Sequence, residues 1–161
     1  MVLTLSLINI YGIGAKIILK DYRSKVIMEF KKIRTDADIM DFMKQFAFFH
    51  DSCIKKFHYI SGSFVTDCRS MHPVNSKRSL SIIFESQQAK CKTIELLFDK
   101  ITELHLIPET GDCDCIIRGV SFKKTNNLFY WANWMGFSPD DFPIDFGTYI
   151  IAESVSWKEK L

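Results

Sequence analysis

The chain has 161 residues, with 21 basic and 19 acidic side chains for a net charge of +2; 47% of it is hydrophobic and 14% aromatic. That length suits one domain around a single core, and a charge so close to zero carries no nucleic-acid footprint. The five cysteines, odd in number and without framework spacing, exclude a disulfide scaffold and point to reduced thiols in a cytoplasmic setting.

In chain order, the first feature is a change of character at Met28. From Met1 to Leu19 the only charge is Lys16, whereas after Met28 charges are spread among alternating apolar residues. Arg23-Ser24 can be encoded as AGGAGT, a ribosome-binding sequence, with Lys25, Val26 and Ile27 between it and Met28. Residues 1–27 therefore read as a non-native upstream extension or disordered segment, and residues 28–161 as one β-rich domain. A signal peptide would place its positive charges ahead of the apolar run, not after it. A spanning helix needs roughly 20 apolar residues, and Gly12, Gly14 and Lys16 interrupt this run too early. Setting aside residues 1–27, with four basic side chains (Lys16, Lys20, Arg23, Lys25) and one acidic (Asp21), leaves 17 basic and 18 acidic, a net charge of −1.

One helix follows. Thr35 with Asp38 three residues on forms an N-terminal cap, and Asp36 and Asp38 suit the positive end of the helix dipole. Ile39, Phe42, Met43 and Phe46 then recur at helical spacing, and the helix should end near Phe48. About three turns are too few to stand alone, so that apolar face must dock on something larger.

The remainder reads as strand. Cys53, Phe57 and Tyr59 share one parity, and Gly62 bends the chain before Phe64 and Val65. Leu80, Ile82 and Phe84 alternate with Ser79, Ser81 and Glu85; Ile94, Leu96 and Phe98 alternate with Thr93, Glu95 and Leu97. Ile101, Leu104 and Leu106 make a short strand closed by Pro108. Ile116, Arg118, Val120 and Phe122 precede a hairpin turn at Thr125-Asn126-Asn127, and a strand from Leu128 to Trp134 follows. Tyr149, Ile151, Glu153, Val155 and Trp157 form the last. Seven or eight short strands with no helical crossovers imply antiparallel pairing. The expected fold is mainly β (α+β), an antiparallel β-sandwich or partly open barrel with one N-terminal helix packed on it.

His50-Asp51-Ser52 contains all three residue types of a hydrolytic triad, but neighbours in sequence rarely place an imidazole between the other two groups, and no nucleophile-elbow pattern surrounds Ser52. A turn that ends the helix and opens the first strand accounts for these residues. The histidines and cysteines show no metal-ligand pair of the C-x-x-C or H-x-x-x-H kind; Cys113 and Cys115 are the one close pair. Gly12-Ile13-Gly14 lacks the third glycine of a phosphate cradle. The run Phe129-Tyr130-Trp131-Ala132-Asn133-Trp134 resembles a base-stacking platform, yet residues 99–161 carry six basic against ten acidic side chains. Phe129 and Trp131 are therefore expected in the core, and Trp134 half exposed at a strand end. No catalytic residue, metal site or cofactor is read from these motifs.

The segment from Met135 to Gly147 carries the most functional weight. It is long for a compact β domain, bounded by Gly136 and Gly147, and stiffened by Pro139 and Pro143. Asp140, Asp141 and Asp145 beside Trp134, Phe137, Phe142 and Phe146 make an acidic, aromatic surface suited to a basic protein partner. The competing account is that the phenylalanines plug one end of the fold while the aspartates face water.

Four stretches, Phe49-His50-Asp51-Ser52-Cys53-Ile54, Ile94-Glu95-Leu96, Tyr130-Trp131-Ala132 and Ala152-Glu153, resemble those of small β-rich Firmicutes proteins similar to the immunity proteins that accompany polymorphic toxins. The resemblance runs from about residue 40 to the C-terminus and brings no catalytic residue. It implies a binding protein; joined to the acidic, aromatic loop, it gives the expectation of a non-enzymatic module that binds a protein, such as a basic toxin, through Trp134, Asp140, Asp141 and Asp145. The alternative is a small hydrolase or metal-dependent enzyme using His50 and Asp51 with Cys113 and Cys115. Nucleic-acid and membrane partners are not expected.

Overall fold

The computed structural model describes residues 29–141 and 147–160. The reading of residues 1–27 as an upstream extension lies outside the described residues. The fold is mainly β, with nine strands among the described residues: β1 (Lys31–Ile33), β2 (Ser52–Ile60), β3 (Phe64–Val65), β4 (Met71–His72), β5 (Ser79–Ser86), β6 (Thr93–His105), β7 (Ser121–Thr125), β8 (Leu128–Ala132) and β9 (Tyr149–Glu159). Seven form one antiparallel sheet, six in the order β2-β5-β6-β9-β8-β7 and β1 beside β9, while β3 and β4 pair only with each other. β6 occupies one edge of β9 along its length, so β8 (against 149–152) and β1 (against 155–157) share the other.

The sheet curls into a partly open barrel. In a flat sheet β5 and β8 would lie about 14 Å apart, three strand spacings, yet the Phe84 and Trp131 rings are 5.5 Å apart. The two sheet edges meet where Ser52 and Ile117 exchange backbone hydrogen bonds of 3.4 and 2.7 Å. Beyond that rung, edge strand β2 is blunted by a bulge at Lys55 and by Lys55 and Lys56 themselves.

The helix α1 (Asp36–Gln45) lies across the concave face. Its cap is reciprocal: the Asp38 amide donates to Thr35 Oγ1 at 3.2 Å, and the Thr35 amide donates to Asp38 Oδ2 at 2.9 Å. Ile39, Phe42, Met43 and Phe46 are all buried. Phe42 reaches Phe122 of β7 and Trp157 of β9, and Phe46 reaches Phe84 of β5. After α1 the chain reverses through Ala47, Phe48 and Phe49, all at positive φ (49°, 52° and 62°) without a glycine. That conformation is opposed by roughly 1–2 kcal/mol per residue. It inserts the fully buried Phe49 ring between Phe42, Phe46, Phe84 and Trp131.

Three strand assignments need correction. Cys53 does not share a face with Phe57: the bulge places Ile54 opposite Phe84 and Phe57 opposite Ile82, leaving Cys53 opposite Glu85 on the outer surface. Ile101 and Leu104 belong not to a separate strand but to β6, which continues through Lys100 at φ +54°. There the alternation slips on both β6 and β9, so Phe98, Ile101, Ala152 and Val155 all enter the main core. Ile150 joins them, whereas Tyr149 and Ile151 face a second cluster. Ile117, not Ile116, is buried, because Ile117 is held by the rung to Ser52 and the chain leaves strand geometry between it and β7. The β7–β8 turn is as read, a two-residue loop with Asn126 and Asn127 at φ 51° and 64°. Among the described residues no helix is long and apolar enough to cross a membrane.

Candidate functional site

The loop after β8 is anchored at both ends. At its neck the Asn133 amide donates to Thr148 O and the Thr148 amide to Asn133 Oδ1, both at 3.0 Å. Thr148 Oγ1 accepts from the Ile107 amide at 3.1 Å and donates to Ile107 O at 3.2 Å, tying the loop to the segment after β6. Phe137 folds back over the outer surface of β8 and β9, where it is buried against Tyr130, Trp134 and Tyr149; its amide donates to Ser121 Oγ at 3.0 Å. Gly136 and Gly147 make the two reversals at φ +86° and +73°. A Cβ on Gly147 would meet Trp134 Cζ3 at 2.4 Å, so the indole rests directly on that backbone.

This packing leaves Trp134 half-buried, as its place at a strand end suggests, with Met135 beside it 73% exposed. Both line a shallow depression of about 520 Å³ with Asp112, Asp114, Ile116 and Arg118. Asp114 Oδ1 accepts from the Ile116 amide at 3.2 Å, and Oδ2 pairs with Arg118 Nη2 at 3.1 Å. Ile116 is 51% exposed, so the floor and rim combine wet apolar side chains with carboxylates.

Of the four residues expected to bind a partner, Trp134 is in this depression. Asp140 is exposed on the neighbouring turn, its amide directed at Ser138 Oγ (3.4 Å). Asp141 is described only as the last residue of the 3₁₀ turn Pro139–Asp141, and Asp145 lies outside the described residues, as do Phe142 and Phe146. Asp112, Asp114, Ile116 and Met135 were not singled out. The acidic pair flanking Cys113 is the signal in the sequence that points to this stretch. Phe137 is not part of this exposed surface: it is buried against Tyr130, Trp134 and Tyr149, on the outer side of the sheet rather than at one end of the fold.

The residues of the alternative chemistry are placed apart in role. His50 Nδ1 is 3.1 Å from Asp51 Oδ2, which also accepts from Gln88 Nε2. The Ser52 hydroxyl is buried and donates to Phe49 O at 2.6 Å, so it is turned away from the imidazole pair and into the turn that opens β2. Asp51 O accepts from the Gln87 amide at 3.0 Å, which fastens this turn to the β5–β6 connection. Cys113 and Cys115 are both exposed in an irregular segment, with Thr110 Oγ1 3.4 Å from Cys113 Sγ. Among the described residues no three His, Cys, Asp or Glu side chains are grouped to hold a metal ion. No family model matches the chain, and no curated protein or solved structure matches it.

Proposed function

We propose that the chain is a non-enzymatic binding module that docks a basic protein partner on the surface built by Trp134, Met135 and Ile116 and edged by Asp112 and Asp114, with Asp140 on the turn that follows in the chain. The observation that carries this reading is the shallow depression itself. It combines exposed Met135 and Ile116 with carboxylates and a half-buried indole that the loop holds rigidly from behind. Anchored aromatic and apolar groups supply affinity once desolvated, and the surrounding charge steers encounter. Neutralisation of a basic toxin by covering its cationic surface is the form suggested by the resemblance to immunity proteins.

The test is capture of partners from a native host extract, followed by calorimetry with the purified partner. Reversal at exposed Asp112→Lys, Asp114→Lys and Asp140→Lys together should weaken binding by about tenfold or more, as should Met135→Asp. A partner that binds the triple variant and Met135→Asp as tightly as the parent chain would remove this surface from the function.

A further inference from the structure

Residues 61–78 leave the sheet as an arm between β2 and β5. Its base is closed where the Lys77 and Arg78 amides donate to Ser61 O at 2.9 and 3.2 Å, and its only sheet is the two-residue pairing of Phe64 with His72 and Val65 with Met71. From Ser63 to Lys77 every residue except Thr66 is exposed. Phe64 and Val65 are each 55% exposed, Met71 67% and Val74 55%. Because the pairs alternate sides, apolar groups stand in water on both faces of the hairpin. A two-stranded hairpin has no interior of its own to hide them, and so many exposed apolar side chains on one short arm point to an interaction surface.

Charge narrows what covers it. The arm carries Arg69, Lys77 and Arg78 against Asp67. Its tip, from Thr66 to Ser70, is polar, so Asp67 and Arg69 would have to enter a bilayer ahead of the apolar residues, which opposes membrane insertion. The complementary surface is an apolar hollow with an acidic rim. This chain displays one: the depression containing Ile116, Trp134 and Met135 lies on a stretch from Leu106 to Gly119 with Glu109, Asp112 and Asp114 against the single base Arg118, itself paired to Asp114.

We infer that the arm of one copy docks in the acidic depression of a second copy, Phe64 against Trp134, Met135 and Ile116, and Arg69 and Lys77 against Asp112 and Asp114. The inference rests on the reading of that depression as a binding surface. The contact joins two different patches, so it is heterologous and builds rings or chains unless the two copies exchange arms reciprocally. A basic partner that takes the depression would displace the arm, making self-association and partner binding mutually exclusive.

Sedimentation velocity of the full chain from about 1 µM to about 1 mM, the range of small interfaces, tests this. The parent chain should associate as concentration rises, less so at about 1 M salt, where screening shortens to about 3 Å. Phe64→Ser should weaken association by about tenfold or more. Two charge-reversed chains decide the geometry: Arg69→Glu with Lys77→Glu, and Asp112→Lys with Asp114→Lys. Each alone should be monomeric, and a one-to-one mixture should associate again. A parent chain monomeric throughout, association that survives either reversal, or no recovery in the mixture would each overturn self-docking. Where self-docking fails but the Asp112→Lys/Asp114→Lys chain still loses its basic partner, the depression stands as a binding surface. Where that chain keeps the partner, both readings fall.

Discussion

Gly147 offers the most direct measurement of how the loop holds Trp134. Alanine at this position meets two separate penalties. The backbone is at φ +73°, where an L-residue costs roughly 1–2 kcal/mol. The new methyl would also lie 2.4 Å from Trp134 Cζ3 and 2.6 Å from Cε3. Neither a rigid indole nor the anchored neck can yield easily, and overpacking of this kind costs about 1–3 kcal/mol. Gly147→Ala should therefore destabilise by about 2–5 kcal/mol. Gly136 supplies the control, since its φ is +86° but nothing lies within 4 Å of a Cβ. Gly136→Ala should cost only the backbone part, about 1–2 kcal/mol. Urea unfolding followed by far-UV circular dichroism measures each variant. Repeating Gly147→Ala in a Trp134→Leu background removes the clash and should reduce its cost to that of Gly136→Ala. If Gly147→Ala and Gly136→Ala shift the midpoint equally in the parent chain, the close approach of the indole to this backbone is refuted.

Four further outcomes follow from other parts of the molecule. Thr66 Oγ1 and Ser70 Oγ, 3.1 and 3.5 Å from Cys68 Sγ, hold this exposed thiol down to about 7; iodoacetamide alkylation of Cys68, followed by peptide mass spectrometry, should reach half its maximal rate near that pH, and Thr66→Val should move the profile upward. Thr35→Ala removes a helix cap and should lower stability by about 1 kcal/mol in urea titrations. The Arg34 and Thr35 amides hold the Asp38 carboxyl below its ordinary range. A carboxylate with a lowered folded-state pKa contributes stability above its unfolded pKa and loses it as pH falls through the folded one, so the deficit of Asp38→Asn should be present at neutral pH and vanish on acidification. Finally, Phe49→Ala empties the centre of the ring cluster joining α1, β5 and β8 and should cost about 3–5 kcal/mol by the same unfolding assay; a cost below about 1 kcal/mol would mean that the strained turn is not repaid by this ring.

Local chemistry made the regular elements legible in advance. Thr35 and Asp38 cap a helix wherever that helix docks, Asn126-Asn127 tolerate the positive φ of a tight hairpin, and the alternation around Leu80–Glu85 and Thr93–Phe98 assigns their faces without reference to any neighbour. The candidate site was legible only in part. Trp134 was found because a bulky aromatic beside Gly136 at a strand end has few other roles, whereas Asp112, Asp114 and Ile116 lie about twenty residues earlier in an irregular stretch with no periodicity to read.

The order of residues alone specifies the antiparallel β class, the capped helix with its apolar face, and a loop whose glycines and acidic side chains set it apart. The tertiary structure decided the rest. The bulge at Lys55 on edge strand β2 and the register shift between Ile101 and Glu103 on β6 reassign faces because strands of a strongly curled sheet must adjust their register to their neighbours, a constraint absent from any local window. The rung between Ser52 and Ile117 exists only once that curling brings the two sheet edges together. The same closure leaves Ile116 facing outward beside Trp134 and Met135, and so turns two separate segments into one acidic, apolar surface.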